Sequence, residues 1–263
     1  MSGVLKLTRG PFTILVLGMQ NNGKSTLLNA MPCDKVLPAR ASQSTGVITL
    51  LDYGDSDIVE VYEFGMSEPR WLKREEFFEQ YTLKENDIFE EVRFQNVQYA
   101  RMETKHRFCD HEVRLVDSPG LSKQLSQQPE ITQSFLEEAH AIVLILYAKR
   151  LLEKEERYFL NHISQNHLEH VFFVINYINE IEDEVDKLQL YERARIILSK
   201  YFCDSYGNFD ESLYNKRVFW INALGALKAR LSSAPDEIAF KNSGMKELEE
   251  QLEALLTKII ALR

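Results

Sequence analysis

The sequence predicts an α/β fold of three layers, with a mostly parallel central sheet flanked by helices. Three observations carry this. Apolar, β-branched runs alternate along the chain with helical stretches, the pattern of parallel strands joined by crossover helices. Two of the runs, Ala141–Tyr147 and Val171–Asn176, are apolar throughout instead of alternating, as strands buried on both faces are. Residues suited to ligand chemistry fall where strand-like runs end, at the glycine loop after Gly18 and at Asp117, Asn176 and Asn222. Open α/β sheets bind ligands at those carboxyl ends.

In chain order, residues 1–11 are a short lead-in ending at Gly10-Pro11, and residues 12–18 form the first strand. A glycine loop and a helix follow, and Pro32 ends the helix. Residues 33–43 read as loop. Residues 47–53 and 58–64 read as strands joined by the turn Gly54-Asp55-Ser56-Asp57, together a β-hairpin. Glu68-Pro69 opens a helix running to Tyr81, with Phe77-Phe78 as local core; residues 86–91 add a helical turn and residues 94–102 a strand. Residues 113–117 are a strand, 130–140 a helix and 153–166 another, set between the two buried strands. The helix over 182–202 carries an apolar stripe at Leu188, Tyr191, Ile196, Leu198 and Phe202. A strand over 218–222 and an amphipathic helix over 244–262 complete the chain.

The chain has 263 residues, 44% hydrophobic and 27% charged, enough for one sizeable core. A net charge of −9 without a long basic run disfavours nucleic acid as a partner. No apolar run approaches the roughly 20 residues of a membrane span, and residues 1–10 lack the apolar core of a signal peptide. Three widely spaced cysteines, Cys33, Cys109 and Cys203, with no CxxC, suit a reducing cytoplasm and argue against a disulfide framework or a zinc site. The charge runs at residues 153–157 and 180–186 read as solvated helix starts and faces, and the scattered histidines as structural.

The chemistry concentrates in Gly18-Met19-Gln20-Asn21-Asn22-Gly23-Lys24-Ser25-Thr26, a G-x-x-x-x-G-K-S phosphate loop between strand and helix. Its glycines let backbone N–H groups curl around phosphate oxygens, and the helix start points its free N–H groups at the same anion. Lys24 suits the β- and γ-phosphates, and the Ser25 hydroxyl suits Mg²⁺. A second signature, Asp117-Ser118-Pro119-Gly120, follows a strand. There Asp117 would hold Mg²⁺ through a water and the Gly120 N–H would sense the γ-phosphate.

This order of motifs resembles the GTPase domain of the dynamin superfamily, most closely that of bacterial dynamin-like proteins, over nearly the whole chain. The glycine loop is similar to the family's first motif, glutamine at its third position included. Leu37-Pro38 through Ser44-Thr45-Gly46-Val47-Ile48-Thr49 and Tyr53-Gly54 resembles switch I and the strand after it. Asp117-Ser118-Pro119-Gly120-Leu121 resembles switch II, residues 131–139 the helix after it, and Asn222-Ala223-Leu224-Gly225-Ala226-Leu227 the fifth motif, near base and ribose. About seventy residues separate Thr45 from Asp117, the enlarged spacing of the dynamin group.

The resemblance implies a single dynamin-type GTPase domain over residues 1–263, with an insertion near 55–111 and without neck or stalk. It implies GTP/GDP and Mg²⁺ as ligands, a monovalent cation (K⁺ or Na⁺) near the loop, and activation when two GTPase domains meet as a homodimer. Gln20 would orient the attacking water, Thr45 would hold that water and the metal, and Gly120 would mark the γ-phosphate. Gln20, Lys24, Thr45 and Gly120 are the catalytic set, and Ser25, Thr45 and Asp117 the metal set. The nucleotide would also touch Asn21, Asn22, Gly23, Thr26, Asn176, Tyr177, Asn179, Asn222, Ala223 and Leu224. Membrane lipid would be reached only through parts outside this chain, giving a cytoplasmic protein that is peripheral at a membrane in a full-length context.

One departure concerns the base. Where the family has Asn/Thr-Lys-x-Asp, this chain has Asn176-Tyr177-Ile178-Asn179. Tyr177 replaces the lysine that covers the base and can stack instead. Asn179 replaces the carboxylate that accepts two guanine N–H groups, leaving one of them facing a donor. Asp183 is near enough in sequence to take over. A nucleotide-binding switch with weak hydrolysis and relaxed base selectivity is therefore the alternative reading, and a P-loop ATPase or kinase-like enzyme a third.

Overall fold

A computed structural model describes residues 10–31, 37, 44–83, 94–105, 113–121, 129–163, 170–204, 206–232 and 234–261. Residues 1–9 of the lead-in, most of the 33–43 loop and the helical turn expected at 86–91 lie outside the described residues.

A nine-stranded sheet spans the described chain. Its parallel half joins β1 (Phe12–Gly18), β8 (Val113–Asp117), β9 (Ala141–Tyr147), β10 (Val171–Asn176) and β11 (Val218–Ile221). The other half adds β3 (Thr49–Tyr53), β7 (Val97–Thr104), β4 (Ile58–Glu63) and the edge strand β5 (Arg70–Lys73), in that order outward from β8. Between the strands run α1 (Lys24–Ala30), α2 (Arg74–Tyr81), α3 (Pro129–Glu138), α4 (Lys154–His162), α5 (Glu184–Leu198), α6 (Glu211–Arg217), α7 (Ala223–Leu231), α8 (Glu237–Asn242) and α9 (Met245–Ile260). A separate two-stranded sheet pairs β2 (Ser44–Thr45) with β6 (Thr82–Leu83).

Strand periodicity divides the core into two apolar layers. Along β1, Ile14 and Val16 face a cluster with Leu27, Leu28, Leu227, Leu252 and Leu256 of α1, α7 and α9. Leu15 and Leu17 face the other side, with Phe135, Phe159 and Leu198 of α3, α4 and α5. Every residue of β1 and β10 is buried, as their unbroken apolar sequence requires. The register then levels the strand ends. Gly18 lies opposite Ile145, Val16 opposite Asp117, and Asn176 opposite both Tyr147 and Ile221.

Three expectations are corrected. The expected hairpin of β3 and β4 does not form: β7 lies between them, parallel to β3 and antiparallel to β4. Asp52 explains part of that choice. It accepts bonds from Arg101 on β7 at 2.7 Å and from Arg114 on β8 at 2.7 and 2.8 Å, tying three strands together. The helix expected from Glu68 begins only at Arg74; residues 70–73 form β5, with Trp71 opposite Glu60. Phe77 is core as expected. Finally, the stripe expected along the 182–202 helix is only partly buried. Leu198 and Phe202 face the core as expected, joined by Ala194, whereas Leu188 and Ile196 are exposed.

A candidate nucleotide site at the strand ends

The loop after β1 needs its glycines for close packing. Gly23 has φ 94°, and a Cβ there would lie 2.3 Å from Asn176 Nδ2. A Cβ on Gly18 would lie 2.5 Å from the Ile145 carbonyl oxygen. Only glycine accepts both constraints. Gly23 also N-caps α1, whose first turn carries no acidic residue, so its free N–H groups keep their positive character.

Lys24 is buried within the loop, and its Nζ donates to the carbonyls of Gly18 at 3.0 Å and Met19 at 2.9 Å. Burial lowers its pKa to about 8, while the nearby carboxylates Asp117 and Glu156 pull it back up. Ser25 Oγ donates to Asp117 Oδ2 at 3.2 Å, and Asp117 is fully buried at the end of β8. A hydroxyl and a carboxylate oxygen in contact are hard donors, which fits Mg²⁺. Beyond Asp117, the Ser118 hydroxyl donates to Val16 O at 2.6 Å and anchors the turn. That turn presses Gly120 onto Gln20: a Cβ at Gly120 would lie 2.9 Å from Gln20 N. The two signatures, a hundred residues apart in sequence, are therefore in van der Waals contact.

The base side is built around Asn176. Its Nδ2 donates to Asn22 O and its Oδ1 accepts from Ala223 N, both at 3.0 Å, so one buried amide joins the loop, β10 and the start of α7. Asn222 caps α7 by accepting from Gly225 N at 2.8 Å, and Leu224 is half-exposed beyond it. Tyr177 has φ 66°, and its hydroxyl donates to Asn21 O at 2.8 Å. Its ring meets Tyr147 edge-on at 5.2 Å. Asn179 is exposed in the short 3₁₀ turn Ile178–Glu180. Asp183 N-caps α5, one carboxylate oxygen accepting from Val185 N and Asp186 N.

The structure thus brings together Gln20, Asn21, Asn22, Gly23, Lys24, Ser25, Asp117, Gly120, Asn176, Tyr177 and Ala223. Thr26 follows in the first turn of α1. Thr45 sits on β2, its backbone opposite Thr82 of β6. Sequence reasoning missed Glu156. The 153–157 run is not wholly solvated: Glu156 is fully buried and accepts from Asn22 Nδ2 at 3.1 Å. The Glu153-x-x-Glu156 spacing of a capping box was the available signal.

A phosphate loop after β1, an acidic strand end at β8 and an asparagine latch at β10 define a P-loop nucleotide-binding domain of GTPase topology. Residues 14–178 match the Dynamin family, and the chain belongs to that family. It is 27% identical over 264 residues to a bacterial dynamin-like protein of Nostoc punctiforme, covering 96% of this chain and 38% of the relative. It is 24% identical to human mitofusin-2 over 232 residues, 87% of this chain and 30% of that protein. The chain therefore spans well under half the length of these relatives. Among solved structures, a chain of an oligomerised bacterial dynamin pair, described in connection with long-range sensing and tethering of membranes, superposes with a TM-score of 0.66 at 18% identity. The match covers 95% of this chain and 40% of that one, a likeness of fold. Among the described residues no helix is long and apolar enough to cross a membrane.

Proposed function

We propose that this domain hydrolyses GTP to GDP and phosphate, with Mg²⁺, as a dynamin-type head. The observation that carries the reading is the meeting of Lys24, the Ser25–Asp117 pair and the Gly120–Gln20 contact at one end of the sheet. Phosphoryl transfer needs positioning and charge stabilisation more than covalent help, and these groups supply both. The N–H groups of residues 21–26 and the Lys24 ammonium are assigned to the β- and γ-phosphate oxygens. The Gly120 N–H is assigned to the γ-phosphate, and Gln20 beside it to the attacking water. That water adds to the γ-phosphorus in line with the β–γ bridging oxygen, whose bond breaks as GDP leaves. Mg²⁺, held by Ser25 and through water by Asp117, would neutralise charge developing on the β- and γ-oxygens. Thr45 is assigned to the metal and water.

The base is read by the stretch from Asn176 to Asn179 together with Asn222, Ala223 and Leu224. The Tyr177 ring, latched to the loop by its hydroxyl, replaces a lysine's alkyl chain as the platform. The exposed Asn179 amide favours a relaxed choice between guanine and xanthine, because its NH₂ meets an acceptor in one base and a donor in the other. A monovalent cation beside Gln20 and Asn21, a homodimer through the GTPase faces and a link to membrane remodelling in a full-length context belong to the same proposal. Turnover compared in K⁺, Na⁺ and choline salts tests the cation.

Calorimetric titration with GTP, XTP and ATP in Mg²⁺ tests the core of the proposal, with Lys24→Ala as control. The expected outcome is GTP binding and turnover that Lys24→Ala reduces at least about a hundredfold, the scale of losing a charge-assisted phosphate contact. Equal binding by the variant, or preferential binding of ATP, overturns the reading.

A further inference from the structure

Asn22 stands immediately before Gly23, yet its side chain turns away from the phosphate cradle into the protein, with 2% exposure. Its amide donates to Ile145 O at 3.0 Å, near the end of β9, and to Glu156 Oε1 at 3.1 Å on α4. Its own carbonyl accepts Asn176 Nδ2 from β10 at 3.0 Å. One loop residue is thus held from three elements, and the loop peptides that must face the phosphates begin from it.

Glu156 is the unusual member of this arrangement. It is 0% exposed, and its second oxygen accepts the Glu153 N–H at 2.8 Å. Among the described residues no lysine or arginine forms an ion pair with it. Burying a carboxylate on such terms is costly. A helix cap does not demand that cost, because Asp183 and Asp236 cap α5 and α8 from exposed positions. What burial adds in Glu156 is the bond to Asn22.

We propose that Glu156 is a positioning residue of the nucleotide loop. Through Asn22 it holds the backbone from Asn21 to Lys24 in the phosphate-binding conformation, and so sets nucleotide affinity without touching the nucleotide. The inference rests on the reading of this site as a nucleotide site. It extends the site's machinery to α4, an element outside the motifs.

The experiment compares wild type, Asn22→Ala, Glu156→Ala, the double variant and Glu156→Gln, measuring GTP affinity by calorimetry, KM, kcat and thermal stability. Both single alanine variants should weaken GTP binding and raise KM about tenfold, because the loop they misplace carries the phosphate contacts. The double variant should be no worse than either single one, since the two residues act as a unit. Glu156→Gln keeps an oxygen acceptor for Asn22 and should recover most of the affinity. A merely structural pair would lower thermal stability and leave affinity and KM unchanged, and that result overturns the proposal. So do independent losses that multiply in the double variant. If Glu156→Ala does not fold, Asn22→Ala decides alone: wild-type affinity in it sinks the idea. Failure of wild type to bind any nucleotide removes the site reading itself, and this inference with it.

Discussion

Two buried asparagines, Asn22 and Asn176, join the phosphate loop to the rest of the sheet, and the residues around them set the chemistry. At Asn179 the exposed amide offers one acceptor and one donor, where guanine presents two donors. Asn179→Asp should therefore raise the preference for GTP over XTP about tenfold, the worth of one hydrogen bond to a charged group. Competition binding of the two nucleotides checks this, and an unchanged ratio would place base choice elsewhere. Glu156 carries a second prediction. Burial lifts its carboxyl from 4.5 to about 7, against the opposing pull of the Glu153 N–H and the Asn22 amide. The folded state thus binds more protons than the unfolded chain between those two values. The stabilisation this group gives is complete below 4.5 and is lost as pH rises through about 7. The span corresponds to on the order of 3 kcal/mol. Thermal unfolding followed from about pH 5 to about pH 8 should show a decline in wild type that Glu156→Gln lacks; parallel curves would contradict the assignment.

At the scale of elements, the helix that begins at the phosphate loop ends against the C-terminal helix through one side chain. Arg230 on α7 donates to the carbonyls of Ala30 and Met31 at the end of α1 and forms a two-pronged ion pair with Glu249 on α9, both contacts at 2.7 Å. Its guanidinium also lies 3.8 Å over the Phe240 ring. Arg230 and Glu249 are 11% and 4% exposed, so Arg230→Ala would leave a buried carboxylate and helix-end carbonyls without this partner. A loss of roughly 3 kcal/mol is expected, read by denaturant unfolding, and Arg230→Lys should recover only part of it because a lysine cannot form the fork. Element boundaries show where local sequence is a weak guide. The Gly54–Asp57 turn is as good a link between strands separated by β7 as between neighbours, and the bonds of Asp52 to Arg101 and Arg114, far away in sequence, favour the observed pairing. The short edge strand β5 leaves only Leu72 packed on the core, too little pattern to separate strand from helix.

For the whole molecule, the open ends of β1, β8, β9, β10 and β11 put the site on one rim of the sheet, with the Tyr147–Tyr177 pair on the same rim. The proposed homodimer would close over that rim. Sedimentation should show monomers without nucleotide and dimers with GDP and a transition-state analogue; monomers under both conditions would remove dimerisation from the proposal. The α/β class, the two fully buried strands, the glycine loop and the acid at the end of β8 were all legible in the sequence, because each depends on local chemistry. Unbroken apolar runs can only be buried strands or helices, and glycines around a Lys-Ser pair are what a phosphate cradle requires. Tertiary structure alone decided that β7 separates β3 from β4, that Gly120 touches Gln20, that Asp183 caps α5, and that Glu156 lies beneath the loop. Each of these is a contact between residues distant in sequence or a choice among several equally good local partners. Such choices are made by the packing of the whole chain, where the free energy of burial is shared among all the elements at once.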